Sequence, residues 1–187
     1  LIRFSMGFFH LTILAIFQGI TEFLPISSSS HLIILSHFFT GKSNLQFDIS
    51  VHLGTLLAVI LFFRKDVGRV FWGFKDNLYL NFKTYNSKFV RCIFVATIPI
   101  VIFGFLIKYT GIIYELRILT IIAISSIVFG VFLFIADKFG KNKKDIKHLN
   151  LKDSIFIGIG QSFSLIPGSS RSGTTISFAR LIGYNKL

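Results

Sequence analysis

Three long apolar runs, each ending at a charged residue, restrict this chain to a membrane fold more than any other feature. The runs cover residues 49–63, 92–107 and 118–136. A helix that crosses the ~30 Å hydrocarbon core of a bilayer needs about 20 mostly apolar residues. Of the 187 residues, 52% are hydrophobic and only 15% are charged, too little charge for a soluble surface or a disordered chain. We therefore predict an all-α integral membrane protein, a polytopic helical bundle.

The basic residues are concentrated in two stretches between these runs. The formal net charge is +12, from 20 Lys and Arg against 8 Asp and Glu. Residues 64–91 contain seven of the basic residues and residues 137–152 contain six. Both stretches lie on one side if all three runs cross the membrane, and the positive-inside rule makes them basic cytoplasmic loops. Neither stretch carries a recognisable nucleic-acid-binding module, so we expect no nucleic-acid partner.

An internal repeat relates two short segments that lie far apart in the chain. The sequence FLPISSSS at 23–30 aligns without gaps on LIPGSSRS at 165–172, with the shared pattern apolar-apolar-Pro-x-Ser-Ser-x-Ser. Three runs, an odd number, separate the copies, so the two would enter the membrane in opposite orientations. We predict one membrane domain, 1–187, built from inverted-topology repeats: repeat one at about 4–107, and repeat two from about 118.

Proline and consecutive serines break the apolar pattern in both copies. Irregular backbone at membrane depth is tolerated only where protein or a wet cavity satisfies it. We therefore interpret each copy as the tip of a re-entrant helical hairpin, with helix N-termini that aim backbone N–H groups at an anion site. The competing interpretation is that the serines only bond back to helical carbonyls and kink ordinary spans.

Few ionisable residues accompany the repeat, and these point to its chemistry. Glu22 is the one acid embedded in an apolar stretch, the other seven lying in or at the edges of connecting segments, and Arg171 lies at the tip of the second copy. A charge within a membrane is a functional hypothesis by default. Gln18 shares a helix face with Glu22, and His31 follows the first serine run. Arginine and serines at a helix start bind phosphate, and a carboxylate holds a divalent cation, so we predict a site for a phosphorylated lipid head group. The structural alternative is a buried Glu22–Arg171 ion pair that joins the hairpins.

The segments QGITEFLPISSSSHL at 18–32 and PGSSRSGTT at 167–175 closely resemble the undecaprenyl-diphosphate phosphatase family, also called the bacitracin resistance protein family. The resemblance covers essentially the whole chain. It implies a multi-pass enzyme of the bacterial inner membrane that removes one phosphate from the C55 isoprenoid diphosphate. This reaction recycles the lipid carrier of peptidoglycan and other cell-wall polymers. The resemblance also implies a divalent cation, Mg²⁺ or Ca²⁺, and a site open to the periplasmic side.

The family's functional residues transfer onto matching positions of this chain. The implied catalytic residues are Glu22, Ser28, His31 and Arg171, with Ser28 and His31 left open as the nucleophile. The implied substrate-binding residues are Ser27, Ser170, Arg171, Ser172 and Thr175. The implied metal ligands are Glu22 and Gln18. Two departures affect these assignments: Gln18 is neutral where many relatives have Glu, and residues 29–30 are Ser-Ser where Thr-Gly is common.

Two other functions remain open from the sequence. Inverted repeats with midplane hairpins are also the architecture of transporters, so a transporter or flippase of a phosphorylated isoprenoid lipid is the alternative. A catalytically inactive lipid-binding scaffold is a third. Only twenty residues follow Pro167, so we expect repeat two to be incomplete and the chain, as a fragment or natural truncation, to be inactive and poorly stable alone. The expected partners are the lipid substrate and the bilayer, and a homodimer is left open.

Overall fold

The computed structural model describes residues 8–40, 45–112, 116 and 118–186, and the described chain is helical. Its α-helices are α1 (Phe8–Thr21), α2 (Ser28–Thr40), α3 (Leu45–Phe62), α4 (Arg64–Leu78), α5 (Tyr85–Thr110), α6 (Leu119–Phe139), α7 (Leu151–Ser162) and α8 (Arg171–Leu181). Two single-turn 3₁₀ helices, Ile146–His148 and Phe163–Leu165, precede and follow α7. The prediction of an all-α membrane protein is confirmed.

The three predicted runs correspond to α3, α5 and α6. In the described chain, α5 and α6 are each long and apolar enough to cross a membrane, and α3 meets the same test when paired with α4 across an 85° bend. Only 11% and 17% of the most apolar stretches of α5 and α6 are buried inside the protein. Their remaining apolar surface faces outward, as expected of helices in contact with lipid.

One predicted loop is mostly helical. Residues 64–91 contain α4, a short turn and the first two turns of α5, whereas the prediction made the whole stretch a basic loop. The reason is that the charges of 64–78 alternate with apolar residues at helical spacing, which favours an amphipathic helix over a loop. The other predicted loop, 137–152, contains the end of α6, an irregular segment with one 3₁₀ turn and the start of α7.

Three of the acids predicted to lie at the edges of connecting segments belong to the terminal turns of helices. Asp48 lies in the first turn of α3, and its side chain is only 7% exposed. Asp66 and Asp76 belong to α4. The sequence pattern placed the start of the apolar run at residue 49, but the helix begins earlier, at Leu45.

Both motifs lie at the turns of paired helices, as predicted. Helices α1 and α2 contact each other around the turn at 22–27, and α7 and α8 contact each other around the turn at 163–170. The second pair packs into the rest of the bundle, with α7 against α5 and α8 against α6. Its aromatic core is centred on Phe178, whose ring lies 5.2 Å from Phe156 and 5.6 Å from Phe132, centroid to centroid.

A buried arginine attaches the far end of this second pair to α6. Arg180 is 3% exposed, and its Nε lies 3.3 Å from a carboxylate oxygen of Asp137. Its two terminal nitrogens donate to the backbone carbonyls of Asp137, Gly140 and Tyr184 and to the Asn142 side chain. These bonds attach the C-terminal end of α8 to the C-terminal end of α6. The serine-rich turn of the hairpin lies toward the opposite end of α6.

Candidate functional site

In the first hairpin, the carboxylate of Glu22 accepts hydrogen bonds from two side chains. Gln18 Nε2 donates to Glu22 Oε2 at 2.7 Å, one helical turn along α1. Ser28 Oγ donates to the same oxygen at 2.7 Å from the start of α2. Hydrogen bonds to a charged acceptor are about twice as strong as neutral ones, so the two donors fix the orientation of Glu22 across the turn. The other oxygen, Oε1, accepts no hydrogen bond from the described residues.

The turn of the second hairpin is attached to the middle of α6. Ser125 Oγ donates to the carbonyl of Pro167, and Ser126 Oγ donates to the carbonyl of Gly168 at 3.2 Å. Gly168 has a φ of 103°, a conformation that L side chains rarely adopt, and a Cβ there would collide with Ser125 Oγ. The backbone carbonyls of the turn are therefore bonded to side chains of α6.

After this turn, α8 begins with a cluster of hydroxyl groups. Ser170 caps the helix, since its Oγ accepts from the backbone N–H of Gly173 at 3.2 Å. The Ser170 and Ser172 hydroxyls are 2.9 Å apart. Ser172 Oγ also donates to the carbonyl of Leu24 in the first hairpin at 3.4 Å, so the two turns are in direct contact.

The two turns line one cavity of about 450 Å³. Among its lining residues are the predicted site residues Glu22, Ser27, Ser28, Ser170, Arg171, Ser172 and Thr175. The N-termini of α2 and α8 both open onto it. Two helix N-termini, several hydroxyls and a guanidinium around one cavity form a strong anion-binding environment.

Arg171 is available to a ligand. Within the described part of the chain no ion pair joins it to Glu22, and its guanidinium has no other acidic partner. The alternative of a buried Glu22–Arg171 pair as the reason for both charges therefore does not describe this structure. A guanidinium at a helix start, facing a cavity without a protein counter-ion, suits a bound phosphate.

Two predicted site residues lie outside this cavity. His31 lines a smaller neighbouring cavity of about 150 Å³, and its Nδ1 donates to the carbonyl of Ser27 at 2.9 Å. Gln18 is fully buried beneath Glu22 and is not among the residues that line the cavity. The structure thus brings Ser28, but not His31, to the carboxylate.

Sequence reasoning missed His52 of α3. Its Nε2 lies 3.8 Å from Glu22 Oε2, and the ring lines the same cavity. Its Nδ1 is 2.7 Å from the carbonyl of Asp48, an acceptor without a proton, so Nδ1 carries the hydrogen and Nε2 faces the carboxylate. The signal was present, since His52 is a titratable residue inside the apolar run 49–63. Gln161 of α7 and Ser164 of the 3₁₀ helix that follows it were also not singled out, and both line the cavity.

Comparison with known proteins agrees with the two motifs. Residues 11–187 match the model of the family described as bacitracin resistance protein BacA. The chain belongs to this family. It is 42% identical to the undecaprenyl-diphosphatase of Jannaschia sp. (strain CCS1) over 182 residues, which are 97% of this chain and 68% of the relative. It is 43% identical to the undecaprenyl-diphosphatase of Alcanivorax borkumensis over the same shares of the two chains. The undecaprenyl-diphosphatase 1 of Pseudoalteromonas translucida is 41% identical.

Membership of the BacA family confirms the family predicted from the motifs. The matched region includes both hairpins and the three long helices between them. The cavity described above therefore lies within the part of the chain that is common to the family. The roles of its individual residues rest on their geometry.

Proposed function

We propose that this chain is an undecaprenyl-diphosphatase, which hydrolyses undecaprenyl diphosphate to undecaprenyl phosphate and inorganic phosphate. The carrying observation is that Glu22 and Ser28 of the first hairpin and Arg171 of the second line one polar cavity. The activity named for its relatives in the BacA family agrees with this chemistry. Hydrolysis recycles the lipid carrier of cell-wall synthesis and confers resistance to bacitracin.

The hydroxyl of Ser28 is the nucleophile in this proposal. Arg171 and the hydroxyls of Ser170, Ser172 and Thr175 bind the diphosphate at the start of α8. Ser28 Oγ then forms a bond to the terminal phosphorus, its proton passes to Glu22 Oε2 at 2.7 Å, and the bond to the bridging oxygen breaks. Undecaprenyl phosphate leaves, and water hydrolyses the phosphoserine. Catalysis consists mainly of positioning and charge stabilisation.

A divalent cation, Mg²⁺ or Ca²⁺, belongs to the proposal. Among the described residues no three His, Cys, Asp or Glu side chains cluster around a common point. Mg²⁺ commonly binds one or two carboxylates together with substrate phosphates, so Glu22 Oε1 and a diphosphate fit such an ion. The ion would neutralise charge on the phosphate oxygens. Gln18 directs its amide N–H at Glu22, which makes it a positioning residue for that carboxylate rather than a ligand.

The cavity opens to the periplasmic side of the bacterial inner membrane in this proposal. Ser125, which holds the second turn, lies six residues into α6, about 9 Å from its N-terminal end. The basic segment follows the opposite end of α6, about 21 Å from Ser125. With the basic side cytoplasmic by the positive-inside rule, the site is nearer to the periplasmic surface.

Phosphate release and ligand binding together test this function. If the unchanged chain releases phosphate from farnesyl diphosphate, contrary to the expectation of an inactive fragment, Ser28→Ala should lower that release at least about a thousandfold. The same variant should bind a non-hydrolysable prenyl diphosphate analogue within about twofold of the unchanged chain. Arg171→Ala should weaken that binding by roughly 10- to 100-fold, because it removes charged hydrogen bonds.

The control is Lys138→Ala, a basic residue at the other end of α6, which should change neither quantity. Arg171→Ala with unchanged affinity would contradict the binding site, and that result does not depend on turnover. A larger loss of turnover in His31→Ala than in Ser28→Ala would move the nucleophile to His31.

A further inference from the structure

Helix α4 exposes an apolar stripe along its length. The stripe consists of Val67, Phe71, Phe74 and Leu78, which follow the i, i+4, i+7, i+11 spacing of one helix face. Their exposed fractions are 40%, 65%, 46% and 67%. An amphipathic helix with such a face either binds a partner or lies on a membrane.

The direction of α4 favours the membrane. Its axis is bent by 85° from α3 at Phe63. If α3 crosses the bilayer close to the normal, α4 runs close to the membrane plane. Its first residue follows the apolar end of α3, and the turn after it leads into Tyr85, where α5 begins. Both ends of α4 are therefore held at the same membrane surface, where aromatic and basic residues are enriched.

The contacts of α4 with α5 give it a defined rotation. Gly73 lies against the backbone of Asn86, and Asn77 Nδ2 donates to the carbonyl of Ser87 at 3.2 Å. These are residues of the first turn of α5, at the basic end of that span. On a helix of 3.6 residues per turn, the centre of the apolar stripe lies about a quarter turn from this contact side. With α5 standing beside α4, the stripe can point into the hydrocarbon while Arg69 points to water.

The side of α4 that faces away from α5 is basic. Arg64 and Lys75 border the stripe there, and Lys65 follows around the helix. Within the described residues none of the three has an acidic partner, whereas Arg69 pairs with Asp66 at 2.8 Å. Lys75 Nζ lies 5.0 Å from the ring centroid of Trp72, a pairing of residue types typical of the headgroup region.

We propose that α4 is an in-plane interfacial helix that binds anionic lipid headgroups. The stripe Val67–Phe71–Phe74–Leu78 occupies the upper acyl region of the leaflet on the basic side of the protein. Arg64, Lys65 and Lys75 contact the phosphates of anionic lipids, to which a basic segment at a membrane surface is attracted. This surface is distinct from the cavity between the hairpins and serves a different lipid class, the bulk anionic lipids of the leaflet.

Trp72 is the only tryptophan in the chain, so intrinsic tryptophan emission reports on α4 alone. The whole chain is reconstituted into vesicles of phosphatidylcholine and phosphatidylglycerol that contain lipids brominated at a shallow or a deep acyl position. We expect blue-shifted emission and stronger quenching by shallow than by deep bromines. Unquenched, water-like emission, or strongest quenching by deep bromines, would overturn the in-plane position.

The lipid preference needs a variant that leaves the reporter and its Lys75 contact intact. Arg64→Gln combined with Lys65→Gln is titrated with phosphatidylglycerol in phosphatidylcholine vesicles and followed by Trp72 emission. We expect the apparent affinity for phosphatidylglycerol to fall about fivefold for each basic side chain removed. Lys138→Gln removes one positive charge from the end of α6 and serves as the control, with an unchanged titration.

Two results would overturn the lipid assignment. One is a double variant that titrates like the unchanged chain, since the basic residues would then not contact the headgroups. The other is shielding of Trp72 that appears only at high protein-to-lipid ratio, because the stripe would then be covered by a second copy of the chain.

Discussion

At the scale of the residue, the expected role of His52 follows from its position in the cavity and not from the sequence motifs. It reaches the cavity from α3, whereas the predicted site residues belong to the two hairpins. Its Nε2 lies 3.8 Å from the oxygen of Glu22 that already accepts from Gln18 and Ser28. The imidazole ring occupies the space beside this oxygen and limits the movement of the carboxylate when substrate charge enters, so we expect His52 to be a positioning residue.

Replacement of His52 separates this role from a merely structural one. We expect His52→Ala to lower kcat about tenfold with little change in KM, because the residue acts through Glu22 and not on the bound lipid. His52→Gln, whose amide can reach toward the position of Nε2, should recover most of the loss. Ser50→Ala on the exposed side of the same helix is the control. Equal losses in the Ala and Gln variants, accompanied by a lower Tm, would contradict a positioning role.

The residues that sequence reasoning found and missed differ in a physical way. Glu22 and Arg171 were found because a charge within an apolar or serine-rich segment has few explanations other than function. Ser28 and His31 stand three residues apart, and only the turn geometry decides that the first faces Glu22 and the second faces the neighbouring cavity. His52 was overlooked because a single polar residue in a long apolar run resembles an ordinary tolerated residue until α3 is placed beside α1.

At the scale of the element, the second hairpin depends on one glycine. Gly168 combines a φ of 103° with a Cα that faces Ser125 of α6. We expect Gly168→Ala to cost about 1–3 kcal/mol from backbone strain, with a further cost from the displaced serine. The measurements are the Tm of the chain and its affinity for a prenyl diphosphate analogue, both of which should fall.

Gly130 provides the matched control for this change. It lies in the same helix that holds the turn, α6, and a Cβ there meets no atom within 4 Å. Gly130→Ala should leave binding unchanged and raise the stability slightly, because alanine favours a helix interior over glycine by roughly 0.5–1 kcal/mol. Equal changes in Tm and affinity for the two variants would contradict the conclusion that the contact between the turn and α6 determines the geometry of the site.

Helix α4 shows where element prediction from sequence fails. Seven basic residues in 64–91 were sufficient to assign a cytoplasmic loop by charge, but charge alone does not distinguish a loop from an amphipathic helix. The helical spacing of Val67, Phe71, Phe74 and Leu78 is the sequence signal that indicates an amphipathic helix. The three long helices were located from sequence because long apolar runs leave few alternatives to a helix, although α5 begins well before its run, at Tyr85.

At the scale of the whole molecule, the proposed orientation rests on the distribution of charge around the bundle. The basic segment after α6 and the cavity between the hairpins are separated along α6, since the turn at Gly168 is held by Ser125 and Ser126 in its N-terminal half. With the basic side cytoplasmic, the proposed orientation places the cavity nearer to the periplasmic surface. In this orientation, a membrane-impermeant reagent should reach the two ends of the bundle from opposite sides of the membrane.

Single-cysteine labelling tests that orientation. The only native cysteine, Cys92, is buried, so Cys92→Ala provides the background with little expected disturbance. Lys143→Cys marks the exposed basic segment, and Ser29→Cys marks the exposed rim of the cavity. A membrane-impermeant maleimide should label Ser29→Cys in spheroplasts and Lys143→Cys only in inverted vesicles, because the intervening helices carry the chain across the bilayer. Labelling of both positions from one side would contradict the orientation while leaving the geometry of the cavity unaffected.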